Sequence, residues 1–425
     1  MPAPAATESP AQVPEERSPE TASASRSAAD SGATHAILAG VVSAIVGFTS
    51  SFAVVLTGLQ HVGATPGQAS SGLLILCLTM GAGCILFSWT TRMPMTMAWS
   101  TPGAALLTST AAPAGGFGAA VAAFVVVGVL IALCGWLKPL ERAVEAIPGP
   151  VANAMLAGVL LGLCAQPFRD VAAQPWAIGP VILTWAILMR VARRWAVPGA
   201  LLAATAVMIS TGSFAQVSAG DLVPHAEFVA PVFDVAALVS VALPVWIVTM
   251  TSQNIPGMAV LRSFGYRPTL RSPMLYTGAA TSVGALGGAH AINLSAIAAA
   301  LVAGPDGGPD PKRRWIGGVS CGVVYMLFGP LSGAVTSIAA AAPAGLLAAI
   351  AGLALIATLA GSAAAALSDP GHRDAAALTF VVAASGVAIA GIGAAFWGLV
   401  AGLAWTGLMR LRWGGRPGRH RKRSA

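Results

Sequence analysis

Charge is what this sequence has least of. Asp, Glu, Lys and Arg make up 9% of the 425 residues, against roughly 25% in soluble domains, while AVILMFWYC supply 56%. That balance excludes a soluble multidomain protein and describes one that lives in a bilayer. Acids are scarcer still. All 15 Asp and Glu can be placed in tails or between apolar stretches, so none needs to lie in the membrane. This argues against a pump driven by a buried carboxylate and against a carboxylate sodium site. The five cysteines, Cys77, Cys84, Cys134, Cys164 and Cys321, sit in apolar surroundings without metal-type spacing and read as small core residues. No nucleophile, base and ligand set converges anywhere, so no enzyme, metal or cofactor is expected. The net charge of +8 comes from short connections and a tail, not from a folded basic face, which excludes a nucleic-acid partner.

Residues 1–34 are rich in Ala, Pro, Ser and Glu and nearly free of large apolar side chains, which predicts a disordered tail. They lack the basic start, apolar core and cleavage site of a signal peptide. Beyond them, at about 20 residues per crossing, Pro, Gly and charge divide the chain into fourteen spans. These are 36–60, 68–90, 94–111, 117–137, 148–167, 175–194, 197–216, 235–256, 272–287, 288–303, 314–340, 343–367, 374–391 and 393–412. Lys and Arg should gather in cytoplasmic connections. Here 22 of the 23 lie in the amino-terminal tail or after even-numbered spans, and Arg169 alone falls on the other side. A misplaced span would scramble that alternation, so both termini are expected in the cytoplasm. The Trp and basic residues at the carboxyl end read as an interface anchor and a tail, 413–425, attracted to anionic lipid.

An odd number of spans per half makes the second half enter the membrane from the opposite side. Such a seven-plus-seven inverted repeat is a transporter architecture, with a midplane site built from discontinuous helices. Corresponding spans 3 and 10 are the shortest and most interrupted. In MPMTMAWSTPGAALL, Ser100-Thr101-Pro102 reads as a hydroxyl cap followed by proline in the first turn. A helix starting there covers about half the bilayer, with Met93–Trp99 extended before it. In LGGAHAINLSAIAAAL, Gly287 and Gly288 precede an expected Asn293 cap and an Ala-rich helix. Two amino termini facing one another near the midplane suit a carboxylate. The plain alternative is that Pro102 kinks a continuous helix and Gly288 permits close packing.

These segments, with GFTSSFAVVLTGLQHVGATPGQASSG, VTMTSQNIPGMAVLRSFGYRP and GIGAAFWGLVAGL, resemble the benzoate:proton symporter family (BenE-like). The resemblance runs over nearly the whole chain beyond residue 35, is most specific at SQNIPG and GGAHAIN, and is weak in spans 5 to 7. It implies benzoate uptake with a proton across the bacterial inner membrane. It implies the seven-plus-seven fold of nucleobase and anion transporters, with short antiparallel strands before the half helices of spans 3 and 10. Core-domain spans 1–4 and 8–11 would occupy 35–137 and 235–340. Gate-domain spans 5–7 and 12–14 would occupy 148–216 and 343–412, and a homodimer would form through the gate. Nucleobase carriers of this fold use acids in spans 8 and 10, where this chain has Gln253 and Asn254, and His290 and Asn293. A carboxylate wall would repel an anion, so an organic acid is favoured over a nucleobase.

The remaining candidates are polar or aromatic interruptions of apolar spans. Thr49, Ser50 and Ser51 in span 1 can donate to a ligand or pack helices. Ser252, Gln253 and Asn254 form a run too dense to face one neighbouring helix, which suggests a cavity. Trp99 and Phe52 can stack on an aromatic ring or simply pack. His290 and His61 are the histidines near the apolar region; His35, His225, His372 and His420 lie in tails or loops. With a reference pKa near 6.5, a membrane histidine can carry a coupling proton or act as a hydrogen-bonding spacer. The expected site is therefore Thr49, Ser50, Ser51, Phe52, Trp99, Ser100, Thr101, Ser252, Gln253, Asn254, His290 and Asn293, with His290 or His61 coupling the proton. A proton-coupled carrier for an aromatic carboxylate is the leading function. A passive anion channel, or a carrier for another small organic anion or a nucleobase, is the alternative.

Overall fold

The computed structural model describes residues 19–110 and 112–413. It is an all-α polytopic membrane protein, and its elements follow the fourteen expected spans in order. The unbroken helices are Pro19–His61 (span 1), Pro66–Thr91 (2), Gly116–Trp136 (4), Gly149–Ala173 (5), Pro175–Val191 (6) and Ala196–Ser210 (7). They continue as Val235–Ser263 (8), Arg271–Ala285 (9), Trp315–Ala341 (11), Leu346–Leu367 (12), Arg373–Ala384 (13) and Ala394–Trp413 (14). Among the described residues, seven are at once long and apolar enough to cross a bilayer alone. Local chemistry sets the starts. Thr65 Oγ1 accepts from Gln68 N at 3.2 Å while Gln68 Oε1 accepts from Thr65 N at 3.0 Å, with Pro66 in the first turn.

Spans 3 and 10 are broken, as the prolines and glycines dictate. Strand β1 (Met97–Trp99) precedes a half helix Thr101–Ser109, and strand β2 (Ile292–Leu294) precedes a half helix Ala296–Ala303. The strands pair antiparallel, with Met97 opposite Leu294, Ala98 opposite Asn293 and Trp99 opposite Ile292. Bonds from Ser100 N to Ala291 O (2.8 Å) and from Ser295 N to Thr96 O (3.0 Å) extend the ribbon into both half-helix starts.

The inverted repeat is visible in the packing. Span 2 lies on span 11 and, seven spans later, span 9 lies on span 4; likewise 1 on 3 mirrors 8 on 10, and 6 on 7 mirrors 13 on 14. Spans 5 and 12, each other's images, pack together. Two close approaches are glycine pairs at mirrored places. A Cβ on Gly81 or Gly322 would meet the other's carbonyl at 2.7 or 2.6 Å, and on Gly128 or Gly278 at 2.5 Å either way. Backbones this near require glycine, the small-residue logic of membrane packing.

Several boundaries differ from the expectation. The first helix starts at Pro19, inside the stretch expected to be disordered over 1–34, because Ser- and Ala-rich sequence led by Pro and Glu propagates helix; residues 1–18 lie outside the described residues. Span 8 does not end at 256 but runs to Ser263, since Pro256 sits in the first turn of a new helical segment after a π-helical turn, Met250–Asn254. Spans 7 and 13 stop early, at Ser210 and Ala384, near Gly212 and Gly386 in the left-handed region. The expected basic tail falls beyond Trp413, outside the described residues.

Candidate functional site

Each half helix opens on a serine. Ser100 Oγ accepts from Gly103 N at 3.1 Å and bonds Thr249 Oγ1 of span 8 at 2.7 Å. Ser295 Oγ accepts from Ala298 N at 3.2 Å. The cap of the second half helix is thus Ser295 and not Asn293. Pairing consumes residues 292–294, so the cap can come only after the strand, and Asn293 lies mid-ribbon with its Nδ2 on Leu294 O (2.9 Å) and its Oδ1 unpartnered.

Between the two starts lies a cavity of about 280 Å³. Its wall includes Thr101 and Pro102 from one half helix, Ser295, Ile297 and Ala298 at the other, and Trp99 from the ribbon. Span 1 adds Ser43, Ser50 and Ser51, span 8 Gln253, span 11 Tyr325 and span 12 Leu355 and Thr358. No Asp, Glu, Lys, Arg or His lines it among the described residues. The electrostatics therefore come from hydroxyls, one amide and two helix amino termini, each equivalent to roughly half a positive charge. Trp99 is held by its Nε1 donating to Ser51 Oγ at 2.8 Å, and by Phe48 with ring centres 5.4 Å apart. These contacts fix one aromatic side chain in the cavity wall.

Of the expected residues, Ser50, Ser51, Trp99, Thr101 and Gln253 reach this cavity and the others do not. At 100° per residue, four consecutive positions of span 1 cannot share a face. Thr49 and Phe52 instead line a separate apolar cavity of about 290 Å³ with Met208, Phe328 and Ile350. Ser100 is fully buried as a cap, and Ser252 donates to Val248 O. Asn254 accepts Leu294 N at 2.9 Å, tying span 8 to the ribbon. His290 sits behind the ribbon, fully buried, with Nε2 3.2 Å from Ser100 O and its ring near Phe124. A carbonyl only accepts, so Nε2 carries the hydrogen; Nδ1 has no partner. His61 lies in another pocket, with Thr108 and Ser109 at the far end of the first half helix.

Sequence reasoning missed Ser295, Tyr325, Ser43 and Thr358. Ser295 was readable by symmetry, because it stands before its helix as Ser100 stands before Thr101. Tyr325 and Ser43 are lone polar residues on long apolar helices and give no periodic signal. A larger cavity, about 500 Å³, lies elsewhere, beside Asp221, His225 and Glu227 at the ends of spans 2, 7 and 11.

The model of the family described as benzoate membrane transport protein matches residues 31–408. The chain belongs to this family. It is 36% identical over 366 residues to the inner membrane protein YdcO of Escherichia coli (strain K12), covering 86% of this chain and 93% of that protein. It is 27% identical over 368 residues to the benzoate membrane transport protein of Acinetobacter baylyi, covering 87% and 93%. Among solved structures it resembles the transmembrane domain of the cyanobacterial bicarbonate transporter BicA, with TM-score 0.58, 15% identity and coverage of 88% of this chain and 97% of that one. It also resembles SLC26A9, with TM-score 0.56, 12% identity and coverage of 97% and 73%. At those identities the structural likeness bears on fold alone, and the fold is the seven-plus-seven arrangement derived above. This family member is a multi-pass membrane transporter.

Proposed function

We propose that this transporter imports benzoate or a closely related aromatic carboxylate, together with a proton, across the bacterial inner membrane by alternating access. One observation carries the reading: two serine-capped half-helix amino termini open onto a single cavity whose wall holds hydroxyls and an amide but no acid. The helix termini and Thr101, Ser295, Gln253 and Tyr325 suit a carboxylate. Trp99, Pro102, Ile297 and Leu355 suit an aromatic ring. A nucleobase carrier of this fold would set an acid where Gln253 stands. The family description and the name of the Acinetobacter relative point to the same substrate, and the name of the Escherichia coli relative to the same membrane.

In this reading spans 1–4 and 8–11 carry the substrate against a gate of spans 5–7 and 12–14, through which two copies pair, and both termini are cytoplasmic. His290 holds the coupling proton. Its Nε2 bonds the carbonyl of Ser100, the cap of the half helix whose Thr101 lines the cavity. The decisive experiment is uptake by proteoliposomes under an imposed pH gradient, competed with aromatic acids and nucleobases. Accumulation of benzoate above its external concentration, blocked by aromatic acids and not by nucleobases, is expected. Equilibration without accumulation would mark a passive channel, and competition by nucleobases alone would overturn the substrate.

A further inference from the structure

The connection after the second half helix winds around one side chain. Arg314, only 9% exposed, donates from Nη1 to Ala303 O at 2.6 Å and from Nε to Gly308 O at 2.9 Å. Ala303 is the last residue of the half helix, so the guanidinium sits on the carbonyl end of the element whose amino end faces the cavity. Gly308 has φ +103°, a conformation that turns its carbonyl onto the guanidinium and that L residues rarely adopt. Buried guanidinium groups usually face a carboxylate. Among the described residues the ion pair found joins His372 to Asp369, and none involves Arg314. Asp306 and Asp310 share its loop but are exposed, and Asp310 Oδ1 accepts from Lys312 N instead. Their charges face water and are screened, whereas that of Arg314 is not.

We propose that Arg314 is an electrostatic positioning residue: a fixed, buried positive charge at the back of the second half helix that raises affinity for an anion at its front. Without touching substrate, it balances the negative pole of that helix, leaving the positive pole at the cavity less opposed. Eight residues span about 12 Å, which puts the guanidinium about 15 Å from a bound carboxylate. At an effective dielectric of about 20 this is worth roughly sixfold in affinity, or about 1 kcal/mol. The bland alternative is a C-terminal clamp that only holds the loop. A clamp would not distinguish an anion from a neutral ligand of the same shape.

The assignment rests on the anion reading of the cavity, and the test separates the two. Benzoate and benzamide binding would be measured on the purified full-length wild type, Arg314→Gln and Arg314→Lys. A second neutralising variant, Tyr266→Glu, puts a carboxylate beside the guanidinium: Tyr266 lies next to it with its hydroxyl on Pro311 O at 2.8 Å. This variant keeps both carbonyl bonds of Arg314 and serves if Arg314→Gln does not fold. We expect Arg314→Gln and Tyr266→Glu to weaken benzoate roughly five- to tenfold, with benzamide changing less than twofold and Arg314→Lys staying close to wild type. Equal losses for both ligands, or unchanged benzoate in either neutralised variant, would overturn the electrostatic role while leaving the cavity reading intact. Failure of the wild type to bind benzoate would remove the cavity reading and this assignment together.

Discussion

Gln253 is the side chain of the Ser252-Gln253-Asn254 run that reaches the cavity, because a π-helical turn rotates it there while its neighbours bind backbone. Its amide can donate to an anion; a carboxylate in its place would repel one. A like charge about 5 Å away at an effective dielectric of 20 costs on the order of 3 kcal/mol, against about 1 kcal/mol for a lost neutral hydrogen bond. Gln253→Asp should therefore weaken benzoate binding about a hundredfold and Gln253→Ala less than tenfold, by titration calorimetry. The Asp variant should recover at acidic pH as its carboxyl takes up a proton; equal losses at every pH would exclude charge as the reason. The proton is a separate matter, resting on His290. His290→Gln keeps a donor for Ser100 O but cannot titrate, so pH-driven accumulation in vesicles should vanish while benzoate exchange persists. Wild-type accumulation in that variant would move the proton to His61 or to the neutral acid itself. At this scale the sequence was half legible. Polar residues in apolar spans announced Ser50, Ser51, Trp99, Thr101 and Gln253. Helical rotation, which no residue type declares, sent Thr49 and Phe52 to another cavity and left Tyr325 unnoticed.

The broken spans are the elements that make the site, and they break for reasons the sequence states. Pro94 and Pro102 prevent a continuous helix, Gly288 turns the chain at φ +88°, and a serine restarts each helix. What the sequence left ambiguous was the cap of span 10, since Asn293 and Ser295 are both good capping residues. Ribbon pairing decides between them: Met97 opposite Leu294 leaves Ser295 as the next position after the strand. The two residues now make opposite predictions. Ser295→Ala removes the acceptor for Ala298 N and a hydroxyl from the cavity wall, costing about 1 kcal/mol at the helix end. Benzoate affinity should fall five- to tenfold, and the melting temperature should drop by no more than a few degrees, as loss of one cap bond entails. Asn293→Ala loses only a local bond to Leu294 O and leaves the cap in place, so a larger binding defect there than in Ser295→Ala would return the cap to Asn293.

For the whole molecule, geometry groups the connections and charge orients them. The loop after span 7 binds backbone on the side where other odd-numbered spans end: Val232 N meets Gly118 O in the first turn of span 4 at 2.9 Å, and Val229 N meets Leu286 O after span 9 at 2.7 Å. On the even side, Tyr266 after span 8 donates to Pro311 after span 10, and Arg92 after span 2 stacks on Trp315 at 4.1 Å. Every one of these contacts joins like with like, as the alternation of crossings from span 3 to span 10 requires. Which group faces the cytoplasm is read from Lys and Arg, because their transfer across a membrane is opposed. Only Arg169 stands on the sparse side. The prediction is that Arg169→Cys reacts with a membrane-impermeant maleimide from outside intact cells and Lys312→Cys reacts only after lysis. Both positions are exposed, and the five native cysteines are buried, so background labelling should be slight. Labelling of both from one side would break the alternation and the inverted repeat with it. The reverse sidedness would keep the fold and invert the direction in which the cavity between the half helices opens.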